Sequence, residues 1–385
     1  MMDISKNIAW NFQLPLYYIS DKTAIEPHIC EDLNLCQVND ATKNNADNNT
    51  DNNTDNNNVN DMSLNTVYDH AFLPTSHFSK QTIPLWSKYF TANKNFLKDS
   101  QTLIKERLPT ANTDYTEVEA IWHEIKTETG FHEKYQYINL PFLKWVNNNT
   151  TILQLLSMYN IASPIISLAL PILFLLIPFF IIRLKGVELT FDKYREVLYY
   201  IVSKHHLGKI FSLSSVSWDK RIYIIMTFGL YLLQTYQHFM SCVQFYKHAK
   251  IIHTQIKVIK DYLKHTIFNM EHFEECCVNL TTYQPFIHVT KMHKQTLTKY
   301  FQYISNIPPH AVSFKKFLDL GRPMKAFYQL YNDTLLQESL LYSFGFNGYI
   351  SNINGLQKNI SHKRLSLCHF TKHKTSFKKA YYPPE

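Results

Sequence analysis

The sequence predicts an all-α protein with long lever-like or coiled-coil-like helices, one apolar proline-spaced segment and a small C-terminal β-hairpin. Three observations carry that expectation. Residues 145–182 run for thirty-eight positions without a charged side chain. Residues 219–277 keep helical apolar spacing for about sixty positions with no strong internal breaker. Beyond Asn359 the spacing changes to the alternation of a strand. With 385 residues, two or three domains and a sizeable core are expected.

Residues 1–38 read as a small N-terminal segment. Residues 39–62 follow as an Asn-rich linker, with eleven asparagines in 39–61 and a repeated Asp-Asn-Asn-Thr. They bring too little apolar surface to offset the entropy of ordering, so disorder is expected there. Residues 63–160 form a helical region. Its first part, to residue 90, carries Pro74 and Pro84 among aromatics and reads as loosely structured. Helix is expected from Thr116, where Thr116 and Glu119 have capping-box spacing and Val118, Ile121, Trp122 and Ile125 make an apolar stripe. Gly130 supplies a stop. A further helix, 151–159, leads into the apolar segment.

Residues 161–182 read IASPIISLALPILFLLIPFFII and are closed by Arg183 and Lys185. At about 1.5 Å per residue they would cross the roughly 30 Å core of a bilayer. Pro164, Pro171 and Pro178 recur every seven residues and fall near one helix face. Transmembrane helices tolerate proline better than helices in water do. The alternative is a buried core helix broken into short pieces by those prolines. The flank 183–221 carries eight Lys or Arg against four acids, which places the C-terminal part in the cytosol for a single span. Gln234, Gln237 and His238 argue against a second span over 222–243.

Residues 183–363 form a helical core or lever region, with helices expected at 190–204, 219–277, 286–304, 322–332 and 334–343. Tyr342 to Tyr349, YSFGFNGY, concentrates two of the eight glycines with four aromatics and reads as a helix break where aromatics wedge between helices. Residues 364–385 hold the expected hairpin: strands at 365–370 and 377–382 around a polar turn. A lone hairpin wants more sheet, so the Tyr-Tyr-Pro-Pro end is expected to lead into another domain.

Charge and motifs narrow the chemistry. Residues 1–78 carry three lysines and eleven acids, net −8, which leaves +16 on the remainder to give the total of +8. Between Ser339 and Pro384 there is no acid, but there are seven bases: Lys358, Lys363, Arg364, Lys372, Lys374, Lys378 and Lys379. They are the candidate contacts for phosphate (DNA included), anionic lipid or an acidic partner; the alternative is a solvated lysine-rich surface. Neither GxxxxGK[ST] nor GxGxxG occurs, so no nucleotide loop, no catalytic residue and no cofactor is expected in this chain. His123, Glu128 and His132 lack metal-site spacing, and the pair His272 and Cys276 lacks two further ligands, so no metal is expected. Six cysteines without a CxxC, and no apolar leader after the start, point to reduced thiols.

The order of segments then carries a resemblance. The apolar proline-spaced segment is followed by GVELTFDKYREVLYYIVSKHHLGKIFS, SWDKRIYIIMTFGLYLLQ, YSFGFNGYISNINGL and a terminal FKKAYYPP. Over about residues 85–384 this resembles proteins of large nucleocytoplasmic DNA viruses related to the MutS mismatch-repair ATPases, most specifically at 342–384. In that group the tyrosine–proline end leads into a P-loop ATPase domain, opening with a GPNxSGK-type motif that this chain lacks. The resemblance implies a non-catalytic helical core and lever, working with an ATPase domain supplied elsewhere, in a virus-infected host cell. No family site residue carries over. The competing class is a membrane-anchored viral structural or assembly protein, and the third is a soluble helical DNA-binding module.

Overall fold

Long amphipathic and apolar repeats give a mostly helical chain with one two-stranded antiparallel sheet among the described residues. The computed structural model describes residues 11–36, 66–106, 108–109, 115–184, 190–204, 217–308, 319–371, 376–377 and 380–382. Two units result: Met1–Thr129 with Gln255–Pro308 and Gln329–Glu385, and Gly130–Thr254 with Pro309–Tyr328.

Unit 1 contains strands β1 (Lys22–Ala24) and β2 (Tyr89–Thr91), paired antiparallel with Thr23 opposite Phe90. Its helices are α1 (Pro27–Asp32), α2 (Val67–Phe72), α3 (His77–Trp86), α4 (Lys94–Lys105) and α5 (Thr116–Thr127). Helix α6 (Phe131–Lys134), α7 (Thr150–Leu184) and α8 (Phe191–Lys204) belong to unit 2. Helix α9 (Trp218–Cys276) is divided between the units at Thr254, α10 (Gln284–Ser305) returns to unit 1, and α11 (Gly321–Asn332) is divided at Tyr328. The last helix, α12 (Thr334–Ser361), is the centre of unit 1.

Asp333 caps α12 by accepting from the Leu336 amide at 3.2 Å. From Ser339 to Ile350 every residue of α12 is buried, so neighbours surround it on all faces. Phe78 of α3 stacks on Phe344 at 4.6 Å, and Phe12 meets Tyr342 edge-on at 5.2 Å. Most of the polar groups that this burial strands are paired, Asn352 Oδ1 and Asn354 Nδ2 being exceptions among the described residues. Asn347 Nδ2 donates to Thr266 Oγ1 at 2.8 Å and to the Tyr262 hydroxyl at 3.1 Å, and its Oδ1 accepts from Asn269 at 3.3 Å. Asn352 donates to Thr82 Oγ1 at 2.9 Å, and Asn359 to the carbonyls of His70 and Ala71 at 2.7 and 2.9 Å.

Glycine makes this approach feasible. A Cβ on Gly355 would run into the Phe72 carbonyl of α2, and one on Gly348 into the Phe78 carbonyl of α3. The segment 342–349 is therefore helix interior rather than the expected break, and the helix continues to Ser361 rather than ending near 343. Close packing outweighs the cost of about 1 kcal/mol that each glycine brings to a helix.

In unit 2, Phe131 of α6 stacks on Tyr137 and Phe327 at 5.5 and 5.6 Å, and the Tyr137 hydroxyl donates to the Met324 carbonyl at 2.7 Å. The Gly321 amide donates to Gln154 Oε1 at 2.8 Å, which fixes the start of α11 against the start of α7.

Most expected helices are present at nearly the expected bounds; four local expectations are corrected. Residues 66–91 form α2, α3 and β2 rather than loose chain, because Thr66 and Ser76 supply side-chain caps. Helix α5 starts where expected and buries Val118, Ile121, Trp122 and Ile125. Its N-cap is Tyr115 rather than Thr116, with no side-chain capping bond, and Glu119 is drawn to His77 on α3. It ends at Thr127, and Gly130 starts α6. The first expected hairpin strand, 365–370, is not a strand; the expected turn and second strand at 377–382 lie partly outside the described residues, and the only sheet among the described residues lies at β1 and β2. The Asn-rich linker 39–62 lies outside the described residues, but the N-terminal segment contributes Phe12, fully buried, to the core of unit 1.

Two outcomes follow from this packing. Gly355→Ala is expected to cost unit 1 about 3 kcal/mol or more by overpacking, whereas Gly229→Ala, with nothing within 4 Å of the added carbon, should leave thermal unfolding unchanged or slightly later. Hydrogen bonding of the His77 ring N–H to the Glu119 carboxylate raises the His77 pKa above its ordinary 6.5. Because the folded value is the higher one, the pair stabilises fully below about 6.5 and loses its contribution as pH rises through the raised value. Glu119→Gln should return the His77 titration, followed by NMR, toward the ordinary value.

Candidate functional site

Helix α7 is one unbroken element through Pro164, Pro171 and Pro178, not the short pieces of the buried alternative. Proline has no N–H, so it frees the carbonyl four residues before it. Two of those carbonyls find other donors. Ser163 Oγ donates to the Asn160 carbonyl at 3.0 Å, opposite Pro164. The Tyr231 hydroxyl of α9 reaches the Ser167 carbonyl at 3.4 Å, opposite Pro171.

Those bonds tie α7 to the first part of α9 within unit 2. Ser167 Oγ lies 3.5 Å from Thr235 Oγ1, and Cys242 Sγ donates to the Ile161 carbonyl at 3.4 Å. Numbers on α9 fall as those on α7 rise, so the two helices run antiparallel. Their shared seam carries small and hydroxylated side chains.

Their outer faces are apolar and exposed. Ile165 on α7 is 71% exposed, and Leu168, Leu173, Ile177, Phe180 and Leu184 continue the surface. On α9, Ile222, Ile225, Met226, Leu230 and Leu233 do the same. Contiguous apolar surface of this extent marks a binding or membrane-facing region rather than ordinary exposure. Residues Thr150–Leu170 of α7 are long and apolar enough to cross a membrane, and most of them are not buried. That window overlaps the expected 161–182, and the helix itself covers both.

The seven basic residues are placed unevenly. Lys358 is exposed in the last turn of α12, and Lys363 and Arg364 are exposed just after it. Lys372, Lys374, Lys378 and Lys379 lie outside the described residues. The first three serve the end of a helix. Lys363 is left-handed, with φ 61°, its amide bonds to Ile360 O at 3.0 Å, and that of Arg364 to Asn359 O at 2.9 Å. This is a Schellman closure with lysine where glycine is usual, and the positive charges face the negative end of the helix dipole. The Arg364 carbonyl also accepts from the Tyr381 hydroxyl at 2.8 Å.

Among the described residues, no group of three or more His, Cys, Asp or Glu is placed to hold a metal ion. His272 and Cys276 meet at 3.4 Å on α9, but desolvation pushes the Cys276 thiol up, opposite to an activated nucleophile. Burial likewise pushes Cys277 up. Sequence reasoning missed the seam residues Ser167, Tyr231 and Thr235. Their signal was the i, i+4 spacing of Tyr231 and Thr235 within a second uncharged stretch. No family model, no curated protein and no solved structure matches the chain.

The left-handed lysine gives a direct outcome. Lys363→Gly removes one of the exposed charges and relieves the backbone, so unit 1 should unfold at an equal or higher temperature, by up to about 1 kcal/mol. Lys363→Val should move it the other way in the same thermal scan.

Proposed function

We propose that the chain is a membrane-associated, non-catalytic helical protein, held to a bilayer by α7 and presenting unit 1 as a helical body for a partner. One observation carries this: α7 keeps an exposed apolar surface over a helix long enough to cross a membrane. In water such a surface would drive association, while in lipid it costs nothing. The non-catalytic part of the reading is supported by a sequence without a phosphate-binding loop or a nucleophile elbow.

The resemblance noted in the sequence suggests a MutS-type ATPase domain as the partner. What favours it is α9, one helix of 59 residues divided between both units, as a lever between a sensor and a motor requires. The exposed bases at the end of α12 are then the contact for an acidic or nucleic-acid surface. A membrane-anchored structural or assembly protein keeps the anchor and drops the ATPase.

Alkaline extraction of membranes from expressing cells tests the anchor. The full chain is expected to stay in the pellet, as integral proteins do. Release into the supernatant would mean that the α7 surface is covered by protein, and the membrane reading would fall.

A further inference from the structure

Unit 1 is knitted from chain on both sides of α7. Phe12, from before it, packs against Tyr342 and Phe286 at 5.2 and 6.0 Å, from after it. Phe78 stacks on Phe344 at 4.6 Å, and Asn359 caps carbonyls of His70 and Ala71. A chain that crossed once, through α7 alone, would place these partners on opposite faces of a bilayer whose hydrocarbon core is about 30 Å thick. Contacts at ring-stacking distance do not span it. Resting on the membrane reading above, the number of crossings is therefore even.

We infer that residues 222–246 of α9 are the second crossing, returning antiparallel to α7, so that Tyr199 on α8 lies across the bilayer from the paired residues Phe12, Phe78, Tyr342 and Phe344 of unit 1. The stretch 222–246 contains no Asp, Glu, Lys or Arg and is bounded by Arg221 and Lys247. Its twenty-five residues reach about 37 Å as a helix, more than the core requires, although among the described residues only Thr150–Leu170 is apolar enough to cross by itself, so this stretch crosses as the partner of α7. The register set by Ile161 with Cys242 and Ser167 with Thr235 lays this stretch beside α7 residues that are also uncharged, up to Ile182. Both helices meet charge at the same end, at Arg183 on one and Asp219, Lys220 and Arg221 on the other. There Trp218 is 75% exposed with the Arg221 guanidinium 5.3 Å from its ring, the residue types that favour a membrane–water interface.

The seam has the chemistry of a membrane pair. Lipid offers no driving force between apolar helices, so small side chains and hydrogen bonds hold them, and neighbours supply donors that proline removes. Ser167, Thr235, Cys242 and Tyr231 do this. The obstacle is the trio Gln234, Gln237 and His238. With Ile222 at one interface, Gln237 and His238 lie about 22–24 Å along the helix, near the opposite interface of a roughly 30 Å core. Gln234, exposed and at about 18 Å, is the one amide near the middle of that span.

Cysteine labelling of the full chain in sealed membrane vesicles tests the path. Tyr199→Cys on α8, where the native side chain is 77% exposed, is compared with native Cys368, which is exposed in unit 1. A membrane-impermeant maleimide is added before or after detergent, and each peptide is read by mass spectrometry. The expected result is that one of the two labels in sealed vesicles and the other only after detergent. If both label together while the chain resists alkaline extraction, α7 and α9 are embedded from one face without crossing and this inference is overturned, though membrane attachment stands. If both label together and the chain is extracted, the membrane reading fails first. Tyr200→Cys, on a neighbouring exposed position, repeats the measurement should the first variant misfold.

Discussion

The close approach of α12 to its neighbours is the constraint on which the remainder of unit 1 depends. A helix buried on every face has no polar side to give to water, so each asparagine, serine and tyrosine hydroxyl along it needs a partner in the protein. Tyr262 and Ser343, with hydroxyls 2.7 Å apart, and Thr290 with Tyr342, also 2.7 Å apart, meet that need from α9 and α10. Desolvation pushes both Tyr262 and Tyr342 above the ordinary phenol range, which keeps them neutral donors at any physiological pH. The glycines remove the steric bulk and the asparagines fix the register. Neither would suffice alone.

Much of the helical pattern was legible because it rests on local spacing. The 59-residue helix, the stripe of α5 and the run of α10 follow from apolar periodicity, which tertiary contacts reinforce. The errors occur where a neighbour outbids a local preference. Glu119 leaves its capping position for His77, and Gly345, Gly348 and Gly355 continue a helix that their propensity would end. Alternation after Leu365 read as strand, yet no strand is present among the described residues of that stretch. The apolar surface was readable from composition alone. The seam was not, since nothing in a single sequence says which helix supplies the donor that Ser167 O needs.

Proline in α7 and hydroxyls in α9 are two halves of one arrangement. A proline-broken ladder in an apolar helix leaves carbonyls that water cannot reach, and a tyrosine on the next helix closes one of them at modest geometric quality. The prolines thus do more than tolerate an apolar setting; they create acceptors that favour one particular partner helix in one particular direction. The outer faces carry mostly aliphatic side chains, interrupted on α9 by exposed Gln234 and Gln237.

The distribution of unit 1 along the chain has a kinetic side. Asn359 and His70, bonded to one another, are 289 residues apart. A ribosome adding roughly 5–20 residues per second needs roughly 10–40 s to travel from the end of α5 to the start of α12. During that interval α2 to α5 exist without the helix that fills their centre, while α7 and the uncharged part of α9 are already made. Loop closure over such a distance is slow compared with local helix formation. The apolar pair is therefore positioned to find its surroundings first, and the body of the protein is completed last, around a helix that arrives when everything it touches is waiting.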